Sequence, residues 1–401
     1  MWFDGRVKLL PPRLRIQSGA AICAIFLAAC TAARSVSAQS NQESAYQKEL
    51  VAISKQIAKQ PRNFELLHRR AFLYIKLERN KDALIDGVQM LKLEPKNVRA
   101  INTLAWAYNN LSQYDESLKL ADKAIAIDPK HYAAYFNRGI SLYNKSDYKG
   151  AIKSYDKVLE LNPKYADAYF ERACCHEMLQ NYSKVVEDSD ACVKLNPRRA
   201  RAYNMRGYGH LKQAEYKDAI RDFETAYQLD PKFAAALKNI GWAYDEQEEY
   251  KTAIGYYTKA IKLDPNFSDA YERRGYSKNN IDDYKGAIED TTAAIKLAPR
   301  DSWPYDCRGF AKRMLGDSKG AEADFTESLK LEPDCVWTLA NRSHARFAQG
   351  KLRGALEDFL DANRLQKKES SKEIADIGQK LMQEQKKATK KIMDSVLNPK
   401  K

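Results

Sequence analysis

Cys174, Cys175 and His176 stand side by side, and thiol and imidazole side chains are the groups that hold a zinc ion. The spacing works against that chemistry. Successive residues of a helix point about 100° apart, so three neighbours cannot face one ion unless distant residues complete the shell. His210 stands 34 residues beyond His176, and the two are expected to stack in the core. No Gly-rich phosphate loop, Ser/His/Asp order or paired-carboxylate motif rises above background. A catalytic site needs convergent polar groups in a pocket. The expectation is a protein with no catalytic residue, no metal and no cofactor.

The composition narrows the class. The 401 residues are 30% charged and 44% hydrophobic, with few Gly and Pro, which fits a helical protein better than a sheet or a disordered chain. The net charge of +14 suggests nucleic acid until it is apportioned. Residues 1–40 hold five Lys/Arg against one acid, and residues 366–401 hold ten against five. A phosphate-binding groove needs its excess charge on the folded body, so nucleic acid is not an expected partner. Outside Cys23 and Cys30 the cysteines number five, with no disulfide-framework spacing.

The N-terminus carries Arg6, Lys8, Arg13 and Arg15 ahead of an apolar run, Ala20–Ala33. A membrane span needs about 20 residues, and the shorter run suits a secretory signal. Two processing sites compete. Val36-Ser37-Ala38 before Gln39 resembles a signal-peptidase site, and Leu27-Ala28-Ala29-Cys30 resembles the lipobox of bacterial lipoproteins. Ser35–Ser44 reads as a polar linker. Export to the periplasm or cell envelope is expected, with membrane contact only through a lipid on Cys30 or an uncleaved N-terminal segment.

The hexapeptide DYKGAI occurs at Asp147–Ile152 and at Asp283–Ile288, 136 residues apart, which is four times 34. Pro61, Pro95, Pro129, Pro163, Pro197, Pro231, Pro265, Pro299 and Pro333 follow the same period without a slip. Ten residues after each proline stands a small residue, from Ala71 through Gly207 and Gly309 to Ser343. A second small column runs through Ala83, Ala151 and Ala219, and a tyrosine column runs from Tyr114 to Tyr284. Such a unit holds two helices and two short turns, with proline ending the second helix.

These columns resemble the tetratricopeptide repeat (TPR) family, whose W-x2-L-G-x2-Y…A-x3-F…A…P pattern has the same period. The resemblance covers Phe64–Glu369 and implies an all-α, right-handed α-solenoid of nine helix–turn–helix repeats with N- and C-terminal capping helices. The expected organisation is a signal segment over 1–38, a linker and capping helix over 39–63, nine repeats over 64–369 and a Lys-rich helix over 370–401.

One column departs from the family pattern. Nine residues after the proline, where an apolar residue is usual, stand Arg70, Arg138, Arg172, Arg206, Arg274, Arg308 and Arg342. Sixteen residues on, all but the Arg138 repeat carry an aspartate: Asp86, Asp188, Asp222, Asp290, Asp324 and Asp358. The Arg138 repeat has Ser154, and the two repeats without arginine have Leu104 with Leu120 and Ile240 with Tyr256. This covariation predicts an ion pair inside each hairpin.

The resemblance also implies a concave groove lined by first helices, which takes a peptide or partner protein. Eleven residues after the prolines, at a position expected to face it, stand Phe72, Trp106, Ile140, Cys174, Tyr208, Trp242, Tyr276, Phe310 and His344. Trp106, Tyr208, Trp242, Tyr276 and Phe310 are the candidate partner-binding residues, aromatic anchors being frequent hot spots. The other reading is that they pack between repeats. Arg201, Asp245, Glu246, Asp269, Glu272, Lys212 and Lys238 surround them, which suits a partner with apolar anchors and some basic residues. The family's clamp for a terminal carboxylate is matched only at Asn239 and Arg273, with Asn204, Tyr208 and Asp269 departing from it. The expected function is a protein-interaction scaffold; an accessory subunit presenting substrate to a separate envelope enzyme is the alternative.

Overall fold

The computed structural model describes residues 36–369, with side-chain surroundings for 43–366. The signal-like segment through residue 35, including Cys30, and residues 370–401 lie outside the described residues. Every element described is an α-helix. By contact the helices fall into two compact units, residues 36–239 and 240–369. Each is a run of hairpins in the register of the prolines, from Phe64–Lys76 with Asn80–Leu93 to Val336–Ala348 with Leu352–Glu369. There are nine hairpins among the described residues. The helix before Pro61 spans Val36–Lys59, so the stretch read as a linker is helical from Val36.

Local chemistry sets each boundary. The first residues of the two DYKGAI copies are N-caps: Asp147 accepts from the Gly150 amide at 2.9 Å and Asp283 from the Gly286 amide at 3.0 Å. A Cβ on Gly150 would lie 2.2 Å from the Asp147 carboxylate, so the cap and the glycine come as a pair. Between the two helices one residue takes a left-handed conformation. In seven repeats it is not glycine, from Glu78 at φ 59° to Asp282 at φ 63°, and in the last two it is Gly316 and Gly350. At the far end, the residue before proline leaves the helical region, as Asp128 does at φ −135°, ψ 95°. Repeat 9 has Lys367 where the others have proline, and its second helix runs 18 residues instead of 14.

The two helices of a hairpin approach where the small residue meets the residue sixteen positions on. Gly139 faces the ring of Tyr155, and Gly309 faces that of Phe325; a Cβ there would sit 2.5 Å and 2.8 Å from ring atoms. Where the first helix has Ala71 or Ala105 instead, the opposing residue shrinks to Gly87 or Ala121. The space over Gly87 is filled by Leu104 of the next repeat, whose side chain lies 2.5 Å from where a Cβ would sit, as close packing requires.

Beside this contact runs the arginine column, and it pairs as the covariation predicts. In six repeats the guanidinium grips its aspartate with two hydrogen bonds, as in Arg70–Asp86 at 2.6 and 2.8 Å and Arg308–Asp324 at 2.7 and 2.9 Å. In five of these repeats the remaining guanidinium nitrogen reaches the preceding hairpin. Arg172 bonds Asp156 and Arg206 bonds Asp190, while Arg274, Arg308 and Arg342 reach Thr258, Thr292 and Thr326. Arg138, lacking an aspartate in its own hairpin, bonds Asp122 before it and Ser154 within it. Leu104 is buried over Gly87 of the preceding repeat, and Leu120 joins the cluster of Ile101, Ala124 and Ala134. A second cation four residues after the arginine completes several pairs: Lys278 on Asp290, Lys312 on Asp324 and Arg346 on Asp358. His176 and His210 hold the same position, each with Nε2 3.9 Å from its aspartate, rather than stacking in the core.

A buried pair adds little net stability over an apolar pair of similar volume, whereas loss of one partner strands a charge. Asp86→Ala is expected to destabilise repeat 1 by about 3 kcal/mol, and Arg70→Leu with Asp86→Leu to recover to within about 1 kcal/mol of wild type, following the apolar solution of repeat 2. Urea unfolding read by circular dichroism checks both; a neutral single variant would contradict the stranded-charge argument.

Candidate functional site

In each unit first helices pack on first helices of neighbouring repeats, as well as on their own second helices. At about 100° per residue, the position two after the arginine points some 200° away from it. The position five before the arginine falls within about 20° of that same direction. Prolines plus eleven and plus four therefore share one face of the first helix, whose inner residues second-helix tyrosines also reach, Tyr250 packing on Tyr276 and Tyr284 on Phe310.

Among residues 240–369 this face carries a run of rings. Tyr276 packs on Trp303 at 5.8 Å between centroids, Trp303 on Trp337 at 6.4 Å and Phe310 on Trp337 at 6.2 Å. Tyr276 and Phe310 are only 6% exposed, while Trp303 and Trp337 are half-buried above them. Two of the five candidate anchors are thus backing for tryptophans that stand four residues after a proline. Those tryptophans were legible in the sequence as a pair 34 residues apart, but in a column outside the one singled out.

Trp242 remains partly exposed. Its Nε1 donates to Glu246 at 2.8 Å, and the Arg273 guanidinium lies 4.0 Å from its ring centre. Arg273 also approaches Asp269 at 3.3 Å. Next to this pair sit two buried acids. Asp245 accepts from Ser277 and from the Tyr257 hydroxyl, both at 2.6 Å, and burial pushes its pKa up to about 7 against those bonds and the Arg273 charge. Glu272 is raised well above the usual carboxylate range by burial, by the Asp301 and Asp269 charges and by a hydrogen bond with Asp301. The sequence read Asp245 and Glu272 as groove-surface charges; both are buried.

In residues 36–239 the face is assembled differently. Trp106 meets Phe72 edge-on at 5.9 Å under the Lys76 ammonium, and Tyr208 meets Tyr182 at 6.2 Å beneath Lys212. Trp106 and Tyr208 are both half-buried, as are Phe72, Ile140 and Cys174. Asn109 donates to the Asn137 carbonyl and Asn137 to the Asn102 side chain, tying repeats 2 and 3 together through amides. Burial raises Glu171 and Glu177 to about 7.

Among the described residues no three His, Cys, Asp or Glu side chains converge on a metal position, and Cys174, Cys175, Cys192, Cys307 and Cys335 are free thiols. No described helix is long and apolar enough to cross a membrane. What the face offers is half-buried aromatic surface bordered by fixed charges, the makings of a recognition surface.

Sequence profiles described as tetratricopeptide repeat match residues 98–127, 132–165, 154–187, 200–233 and 234–267. Over those residues the chain is built of tetratricopeptide repeats. TPR proteins are protein-interaction scaffolds. Among solved structures this TPR chain is similar to YrrB, described as a TPR protein with an unusual peptide-binding site. Identity is 21%, over 46% of this chain and 95% of that one, with a TM-score of 0.41. It is also similar to MamA, at 25% identity over 42% of this chain and 92% of that one, with a TM-score of 0.38. A MamA fragment from Desulfovibrio magneticus RS-1 is 22% identical over 42% and 96%, with a TM-score of 0.40. No curated protein matches the TPR chain.

The raised acids give this TPR protein a pH dependence of definite sign. In the unfolded chain Asp245 loses its proton near 3.8, and in the folded chain only near 7. Between those values the folded state binds the extra proton, so stability falls as pH rises from about 4 to about 7 and then levels. Asp245→Asn is expected to flatten that slope, read as unfolding temperature against pH. An unchanged slope would contradict the assignment.

Proposed function

We propose that this chain is an exported scaffold that binds a segment of a partner protein along the first-helix face of repeats 7 to 9, without performing catalysis. The observation that carries the reading is the pair Trp303 and Trp337, partly buried on a buried backing of Tyr276 and Phe310. Rigid aromatic surface of this kind binds apolar anchors at small entropic cost. On repeats 6 and 7 the acids Glu246 and Asp269 lie beside Trp242 and Arg273, so basic residues of the segment meet carboxylates there. Trp242, with Arg273 stacked on it, adds a further anchor point.

Export rests on Arg6 to Ala38, and mass spectrometry of the mature N-terminus tests it: a start at Gln39 or a lipidated Cys30 is expected, and an intact Met1 form in the cytoplasm would overturn it. For binding, Trp303→Ala with Trp337→Ala is expected to weaken capture of partner protein from the native source about ten-fold or more. Helical content should stay near wild type. If the variant unfolds, or if it captures the same proteins equally well, the face is packing and the reading fails.

A further inference from the structure

Arg313 lies on the first helix of repeat 8, three residues after Phe310. Its guanidinium carbon is 5.2 Å from the Phe310 ring centre, and that ring packs on Trp337. The other partly buried arginines of residues 240–369 each meet a carboxylate: Arg273 meets Asp269, Arg274 Asp290, Arg308 Asp324, Arg342 Asp358 and Arg346 both Glu322 and Asp358. Arg313 makes no ion pair with any described residue, and its buried Nε has no hydrogen-bond partner among them. Burial pushes its pKa down, the Tyr284 hydroxyl opposing only in part, whereas Arg172, Arg206 and Arg273 are raised by their carboxylates in spite of burial. His344, which feels the Arg313 charge, is pushed down by burial, that charge adding to the effect.

Shutting part of a guanidinium from water without a counter-charge is costly, and among the described residues no carboxylate offsets that cost for the buried Nε of Arg313. In repeat 6 the equivalent position holds Asp245, fully bonded to Ser277 and Tyr257. In repeat 7 it holds Asn279, which donates to the Cys307 carbonyl. A guanidinium backed by an aromatic ring still presents N–H groups in a planar fork, the geometry that suits a carboxylate. Charge complementarity therefore names the chemistry that this part of the face is built to meet.

We propose that Arg313, backed by Phe310, binds an aspartate or glutamate side chain of the partner segment, beside the apolar anchor that covers Trp303 and Trp337. The inference rests on the partner-binding reading of this face and sharpens it: the segment carries an acidic residue over repeats 8 and 9, at the opposite end from the basic residues that Glu246 and Asp269 attract.

The test is selection from a random dodecapeptide library, displayed with both peptide ends fused to the carrier, on the full chain. Parallel selections use Arg313→Glu, Arg313→Lys, and Trp303→Ala with Trp337→Ala, each first shown by circular dichroism to keep wild-type helicity. Wild type should enrich peptides with an Asp or Glu close to apolar residues. Those peptides should bind Arg313→Glu at least ten-fold more weakly, bind Arg313→Lys with partial rescue, and lose binding to the double tryptophan variant. Enriched peptides that depend on the tryptophans but carry no acid, or bind Arg313→Glu undiminished, would overturn the role of Arg313 and leave the face as the binding surface. If no peptide is enriched, or if the enriched peptides ignore the tryptophans, the binding face itself fails and this inference falls with it.

Discussion

One arginine per hairpin holds most of the described repeats in place. It fixes an aspartate on its own second helix through two parallel bonds and reaches a carboxylate or hydroxyl on the second helix before it. Because the side chain is planar and its donors are fixed in a fork, it sets the rotation of the first helix as well as its distance. With that rotation set, the residues on the far side of the first helix cannot turn inward. In repeats 7 to 9 the rings of the open face lie opposite the arginines; in repeats 2 and 6 Leu104 and Ile240 take the arginine's place, and Trp106 and Trp242 stand on the same face.

Much of this was legible in the sequence. Nine prolines in register give the hairpins, and the covariation of arginine with aspartate gives the pair within each hairpin. The link to the preceding hairpin was equally visible, as Asp122, Asp156, Asp190, Thr258, Thr292 and Thr326 stand sixteen residues before their arginines. It was missed because a column that changes from aspartate to threonine does not look like one column. Only hydrogen-bonding capacity toward a guanidinium is kept.

The open face was harder to read, for a physical reason. Whether Tyr276 is an anchor or a backing depends on which ring the next repeat lays over it, and Trp303 belongs to a different column of the pattern. Burial of Asp245 and Glu272 likewise depends on neighbours from the following repeat, among them Ser277 and Asp301. Periodicity places a residue on a helix face. It does not say how far the adjoining hairpin covers that face.

The functional account therefore stands on one claim: a partner lies on the first helices of repeats 8 and 9 and leaves the second helices untouched. Hydrogen exchange of the full chain, followed by mass spectrometry with and without captured partner, measures this directly. Exchange should slow in Ser302–Met314 and Val336–Ala348 when the partner is present, and stay unchanged in Tyr284–Leu297 and Ser318–Leu331. Protection confined to the second helices, with the tryptophan-bearing helices unaffected, would contradict it.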